Sequence, residues 1–458
     1  MNLSLQDPFS VAKEYPETLT NTLQYGHSVV IQFNTKGDYL ASGLSDGSIV
    51  IYDMISNGGL IAHLIEGSHT RPITSLTWSN CGRYLLSSSQ DWYCKLWDLS
   101  RVNYSHSVGS EDEEEETGGG SAVIRQVKFD GPIWSACMHP TNPYVFTASL
   151  FEDLPVYVDM TQEKAIISRM RTDPLETSEE ESHEVDGGSE EVKPTTKKRK
   201  KNDKHSTLVT AFTLEGSYIF AGTSKGWLNI FNTSNLKLIH SIKIANSNIK
   251  HLIISSNGRK LAVNSSDRII RQVDLPDLIN ITDPKDWEFE IDHRYQDVVN
   301  RLQWNSVAFN HNAEFLVAST YGQSSHDLYL WETSMGSLIK ILEGSNEELI
   351  DVKWNYPRCT IASVGLDSGM IYLWSVQFPQ KWSALAPDFV EIEENIEYVE
   401  REDEFDMIDE DELTKKRLEE EDLDVDVITK ETSDARGFDI TQESFVIPID
   451  YSRTFTEY

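Results

Sequence analysis

Residues 73–98 read ITSLTWSNCGRYLLSSSQDWYCKLWD and follow closely on Gly67-Ser-His69. Apolar and polar residues alternate from Ile73 to Trp78, and a turn follows at Asn80-Cys-Gly82. A run of apolar and small residues ends near Ser89, a turn holds Asp91, and a third run closes on Trp97-Asp98. Short runs of period two, bounded by Gly, Asn and Asp, read as strands rather than helix turns. The same pattern recurs outward in both directions. Ser28–Asp53 (SVVIQFNTKGDYLASGLSDGSIVIYD) precedes it, and Ile133–Asp159 is a degenerate copy. Further copies lie at Thr207–Asn232, Ile249–Asp274, Val307–Glu332 and Leu349–Ser375.

The seven endings, Asp53, Asp98, Asp159, Asn232, Asp274, Glu332 and Ser375, stand 45, 61, 73, 42, 58 and 43 residues apart. The short spacings match the ~40–45 residues of a WD repeat. The reading is all-β, a seven-bladed WD-repeat β-propeller with an extended acidic C-terminal tail. Residues 1–25 form an N-terminal segment in which Thr20–Gln24 offers a latch strand for the last blade. Residues 26–378 are the propeller, with polar insertions at about 103–122 and 170–206, and residues 379–458 are the tail. The 58-residue spacing holds Asp277–Tyr295, expected to be a longer surface loop. His69, Ser87, Asp91 and Trp97 resemble the hydrogen-bonded tetrad of WD repeats. The His–Asp–Ser subset looks like a catalytic triad, but the expected role is structural, satisfying polar groups within one blade. Asp46, Asp267 and Asp367 occupy equivalent turns.

Of 458 residues, 74 are Asp or Glu and 40 are Lys or Arg, giving a net charge of −34. A surface of that sign does not wrap nucleic acid as a whole. The charge is concentrated: six acids at Glu111–Glu116, nine at Asp173–Glu191 and nineteen against four bases at Glu391–Asp426. Such stretches favour solvated, mobile chain. Cys81, Cys94, Cys137 and Cys359 are widely separated, which fits a reducing compartment and no structural zinc. No apolar run approaches the ~18–20 residues of a membrane helix, and no secretory leader is visible. A soluble intracellular protein is expected.

No phosphate-cradling loop, GxSxG elbow or HExxH helix occurs, so no enzyme and no cofactor are expected. A propeller enzyme with residues converging from several blades is the rival. Lys197, Lys198, Arg199, Lys200 and Lys201 form a basic run that reads as a nuclear import signal, placing the protein in the nucleus. The run also offers a local phosphate contact.

Beyond the last copy, residues 381–412 read KWSALAPDFVEIEENIEYVEREDEFDMIDEDE. Apolar anchors, among them Trp382, Leu385, Phe389, Ile392, Ile396 and Phe405, are interleaved with acids. A purely solvating tail needs no such anchors, whereas a segment that orders on a basic partner does. This tail, the start MNLSL and the stretch NGRKLAVNSSDRIIRQVD (Asn257–Asp274) resemble the retinoblastoma-binding-protein-five family. That family is the Swd-one, WD-repeat subunit of COMPASS (MLL/SET-type) histone methyltransferase complexes. The resemblance covers nearly the whole chain.

The resemblance implies a non-catalytic scaffold and chromatin regulator rather than an enzyme. Family members hold a SET-domain subunit, an Ash-two-type SPRY subunit and another WD propeller in a complex that methylates histone three on lysine four. Trp382, Ser383, Ala384, Leu385, Ala386, Pro387, Asp388 and Phe389 match the segment that activates the SET domain. Glu397, Tyr398, Glu400, Arg401, Glu402, Asp403, Glu404, Phe405 and Asp406 match the segment that binds the SPRY subunit. Leu423, Asp424, Val425, Asp426, Val427 and Ile428 resemble the motif docking on the second propeller. Pro448–Tyr451 is expected in a segment returning to the ring. Larger members add a basic extension after these motifs, so nucleosome or DNA contact here would fall to local basic loops or Lys197–Lys201. A generic WD-repeat adaptor, in ubiquitin ligation or RNA processing, explains the ring but not the 381–412 motif.

Overall fold

The computed structural model describes residues 15–101, 122–171, 206–276, 278, 287–297, 299–322, 327–355, 358–376, 414–415 and 445–447. Their strands form seven four-stranded antiparallel sheets, each one blade of a propeller. The first strands of the blades are Ser28–Phe33, Ile73–Trp78, Ile133–Met138, Thr207–Phe212, Ile249–Ile254, Gln303–Phe309 and Leu349–Asn355. They pack on one another from blade to blade and are therefore innermost. Second strands such as Tyr39–Leu44 and Val145–Leu150 are buried at every residue, as apolar and small side chains between two blades must be. Outer strands are mostly exposed or half-buried, as in Gly59–Leu64, where only Ala62 and Leu64 are buried.

The degenerate copy is a full blade. Each first strand shifts register near its start, at Ser28/Val30, Ile73/Ser75, Ile133/Ser135 and the equivalent points of the other four blades. A bulge there adds local twist where the strand enters the ring. The polar residues ending the first four repeats also have a common use. Asp53, Asp98, Asp159 and Asn232 each accept, through Oδ1, the backbone N–H two residues on, at 2.8, 3.0, 2.8 and 2.8 Å. This Asx turn starts the connection to the outer strand.

The last blade takes its outer strand from the other end of the chain. Thr18–Leu23 pairs antiparallel with Ile371–Ser375, Leu23 opposite Ile371 and Thr18 opposite Ser375. The Thr20 hydroxyl adds a bond to the Leu373 carbonyl at 3.2 Å. Closure covers an edge that would otherwise offer unpaired backbone groups. Between blades 1 and 2, Gly47 (φ +95°) is held under the His69 carbonyl, 2.2 Å from where a Cβ would sit. Only glycine allows that approach.

The structure corrects three boundaries. Asp277–Tyr295 is not all surface loop: Glu290–Tyr295 is the outer strand of blade 5. Trp287 is buried beside Tyr218, ring centroids 5.1 Å apart. Its acids face solvent, as an outer strand permits, and that masked the alternation. Met170 and Ala122, assigned to insertions, are buried in the ring. Backbone bonds hold both, from Met170 N–H to Pro155 O and from Asp98 N–H to Ala122 O, each at 2.9 Å.

Asp98 is held by a two-pronged Arg83 contact, Nε to Oδ1 at 2.8 Å and Nη2 to Oδ2 at 2.7 Å. Burial alone would raise its carboxyl, but the bonds from Arg83 and Ser100 lower it to about 2. A depressed carboxylate stabilises the fold above its unfolded value, near about 4. That contribution fades as pH falls towards about 2. The urea midpoint of wild type should therefore exceed that of Asp98→Asn at neutral pH, and the gap should close across this acid window.

Candidate functional site

The His–Asp–Ser set is assembled as a closed network. His69 Nδ1 lies 2.9 Å from Asp91 Oδ2 and its Nε2 lies 2.7 Å from Ser87 Oγ. Trp97 Nε1–H donates to Ser87 Oγ at 2.8 Å. Since the indole can only donate, Ser87 donates onward to His69 Nε2, and His69 Nδ1–H donates to Asp91. Burial would raise the Asp91 carboxyl, but bonds from His69 and the N–H groups of Tyr93 and Thr70 hold it low. Ser87, His69 and Trp97 are all buried. The serine hydroxyl that would act as nucleophile is enclosed and bonded on both sides, so the network staples one blade.

A second convergence lies on the innermost strands, where a multi-blade catalyst would place its residues. Asp351 accepts Ser306 Oγ at 2.9 Å from blade 6 and Ile31 N–H at 3.1 Å from blade 1. Lys353 Nζ approaches it at 3.4 Å. Burial first, and Lys353 second, push the nearby His251 imidazole down to about 4. This cluster is occupied in tying blades together.

The feature with a binding geometry is the return of the C-terminal chain to the ring. The last strand ends at Ser375. Phe445–Ile447 lies extended between blades 1 and 2. Phe445 N–H donates to Cys81 O at 2.9 Å, and Ile447 N–H donates to the Tyr39 hydroxyl at 3.2 Å. Ile447 is 1% exposed while Val446 is 70% exposed, the in–out alternation of an extended strand. Phe445 and Ile447 join a core that includes Tyr39, Trp78, Leu85, Trp97 and Leu99. The contact is made by the three residues just before Pro448–Tyr451, which lies outside the described residues. In the sequence the segment shows only as three consecutive apolar residues, Phe445–Ile447, in a polar stretch beside the Pro448–Tyr451 expected to return to the ring.

Burying a charge at Ile447 would leave it unpaired among apolar groups. Ile447→Asp should free this segment while leaving the seven blades folded. Hydrogen exchange at the Cys81 turn and protease cleavage near Phe445 should both rise, with far-UV circular dichroism unchanged.

The segments at Trp382–Phe389, Glu397–Asp406 and Leu423–Ile428 lie outside the described residues, as does Lys197–Lys201. The first and third lie in sequence between two points fixed on the ring, Ser375 and Phe445, and so does the second.

A family model for the WD domain, G-beta repeat, matches residues 17–53 and 61–98. The first match begins at the outer strand of blade 7 and the second ends at Asp98, so it covers the two best-formed copies. Among solved structures, the Myceliophteria thermophila Cps50 (Swd1) beta-propeller domain superposes with a TM-score of 0.67 at 40% identity. It covers 79% of this chain and 100% of that one. The COMPASS component SWD1 of Saccharomyces cerevisiae is 42% identical over 99% of this chain and 98% of its own length. The chain belongs to the Swd1/retinoblastoma-binding protein 5 family. The Schizosaccharomyces pombe Set1 complex component swd1 is 43% identical over 92% of this Swd1-family chain and 93% of its own. The Drosophila melanogaster retinoblastoma-binding protein 5 homolog is 30% identical, aligned over 93% of this chain and 77% of its own. The likeness to the yeast protein therefore runs past the propeller and through the acidic tail.

Proposed function

We propose that this protein is the WD-propeller scaffold of a nuclear COMPASS-type complex that methylates histone three on lysine four. The observation that carries the reading is the 42% identity to a COMPASS component over 99% of the chain, tail included. A ring alone would fit many adaptors; the tail does not. In this reading the protein carries no reaction itself. Trp382–Phe389 lies against the SET-domain subunit, Glu397–Asp406 docks on a SPRY subunit, and Leu423–Ile428 engages a second propeller. Bridging these subunits favours the competent arrangement of the SET domain, a population shift of a few kcal/mol (about tenfold per 1.4). Lys197–Lys201 directs import, and basic loops of the ring supply nucleosome contact. The return of Phe445–Ile447 to blades 1 and 2 supports the reading, since a segment tethered at both ends loses less entropy on docking than a free tail.

Phe389 is the apolar anchor best placed to test activation. Phe389→Ala in the reconstituted complex should lower lysine-four methylation about tenfold or more at equal subunit occupancy, for a buried aromatic contact of about 1.5–3 kcal/mol. Full activity with an intact complex would count against an activating role for this segment.

A further inference from the structure

The turn whose carbonyl receives Phe445 recurs in blade 4, as it does in blades 1, 5 and 6, while Val145 of blade 3 stands where Tyr39 accepts the Ile447 N–H. In blade 2, Ser79 N–H bonds Tyr84 O, Gly82 N–H bonds Ser79 O, and Leu99 N–H bonds Arg83 O. In blade 4, Thr213 N–H bonds Tyr218 O, Gly216 N–H bonds Thr213 O, and Thr233 N–H bonds Ser217 O. Glu215 therefore stands where Cys81 receives the Phe445 N–H, and Thr233 stands where Leu99 packs under the docked segment. The blade 3–blade 4 groove is an open depression of about 650 Å³.

Its lining differs from the filled groove in ways that define an occupant. Ile166, at the start of the short outer strand Ile166–Arg169, is 49% exposed. It lies in the lining with Tyr157 and Leu236, giving apolar surface for side chains two residues apart. The carboxylates Asp159 and Glu215 line the same space, and none of the described lining residues is a lysine or arginine. The Thr233 hydroxyl oxygen is enclosed without a hydrogen-bond partner among the described residues. Apolar contact and a carboxylate rim together select an extended strand that carries a base beside its anchors.

We propose that the blade 3–blade 4 groove is a docking site for an extended segment of a partner protein, with two apolar side chains two residues apart next to a lysine or arginine. The segment lies as Phe445–Ile447 lies two blades away, donating a backbone N–H to the Glu215 carbonyl.

The test uses the full chain and a blocked, fluorescent Lys-Phe-Val-Ile-Lys peptide, with a second version carrying a photo-reactive phenylalanine. Saturable binding is expected, weakened at least tenfold by Glu215→Lys and by Ile166→Asp, both exposed positions whose variants should melt as wild type does. Crosslinks are expected within Tyr157–Ser168 or Glu215–Leu236. No binding at millimolar peptide would overturn the proposal, as would crosslinks confined to the Tyr39 and Cys81 regions. Equal binding of Glu-Phe-Val-Ile-Glu would overturn the basic-partner assignment. Sedimentation showing a dimer that excludes the peptide would replace the partner with a second copy and equally overturn it.

Discussion

Trp97→Ala should destabilise the propeller by about 3–5 kcal/mol, the usual range for truncating a fully buried tryptophan. Trp97 is 0% exposed and belongs to the core shared by blades 1 and 2. Its removal leaves a cavity and takes from Ser87 the indole N–H that helps fix its orientation towards His69. Trp97→Phe should cost much less, since most of the volume remains and the lost hydrogen bond is worth about 1 kcal/mol. Trp92→Ala, at a side chain 43% exposed, should sit near wild type. Urea midpoints followed by circular dichroism rank the three. A Trp97→Ala midpoint no lower than that of Trp92→Ala would remove the structural reading of the tetrad. The same cavity should loosen Ile447, which packs in that core, so exchange at the Cys81 turn should rise in Trp97→Ala as well.

The second large effect lies in the tail. Reversing Glu402, Asp403 and Glu404 to lysine should weaken binding to the purified SPRY subunit at least about 100-fold at low salt. Close interfacial charge pairs are worth about 1.5–7 kcal/mol each where measured, and three reversals turn attraction into repulsion. The stretch 391–426 holds nineteen acids and four bases, so wild-type affinity should fall steeply as salt shortens the screening length from ~10 Å at 0.1 M to ~3 Å at 1 M. The reversed variant should lose that dependence. The reversals follow the last blade strand, which ends at Ser375, so the melting of the ring should not change. Unchanged affinity in a calorimetric titration would remove Glu397–Asp406 as the docking segment.

The ring was legible because a propeller writes its structure into local sequence. Each blade is a contiguous meander, and each turn uses an Asp, Asn or Gly for a nearby backbone reason. Asp53, Asp98, Asp159 and Asn232 cap their own chain two residues on, so they mark blade ends even in the degenerate third copy. Legibility failed where burial is decided by distant residues. Met170 and Ala122 sit in polar surroundings and are buried by neighbours the local pattern does not reveal. Trp287 is buried by Tyr218, sixty-nine positions earlier. Phe445–Ile447 is the extreme case: its groove is built from Tyr39 and the Cys81 turn, and three residues have no periodicity to read. The reading of Trp382–Phe389 and Glu397–Asp406 as docking segments rests on another route. Composition gave their character, apolar anchors among acids, while resemblance to a family supplied the partners.

The central claim is that the ring alone is an adaptor body and that residues after Gln377 hold the complex together. A pull-down from nuclear extract with the full chain, beside a chain ending at Gln377, tests this directly. SET-domain, SPRY and second-propeller subunits should be recovered with the full chain and lost with the shortened one, while both fold as propellers. Recovery of all three by the shortened chain, or of none by the full chain, would contradict it.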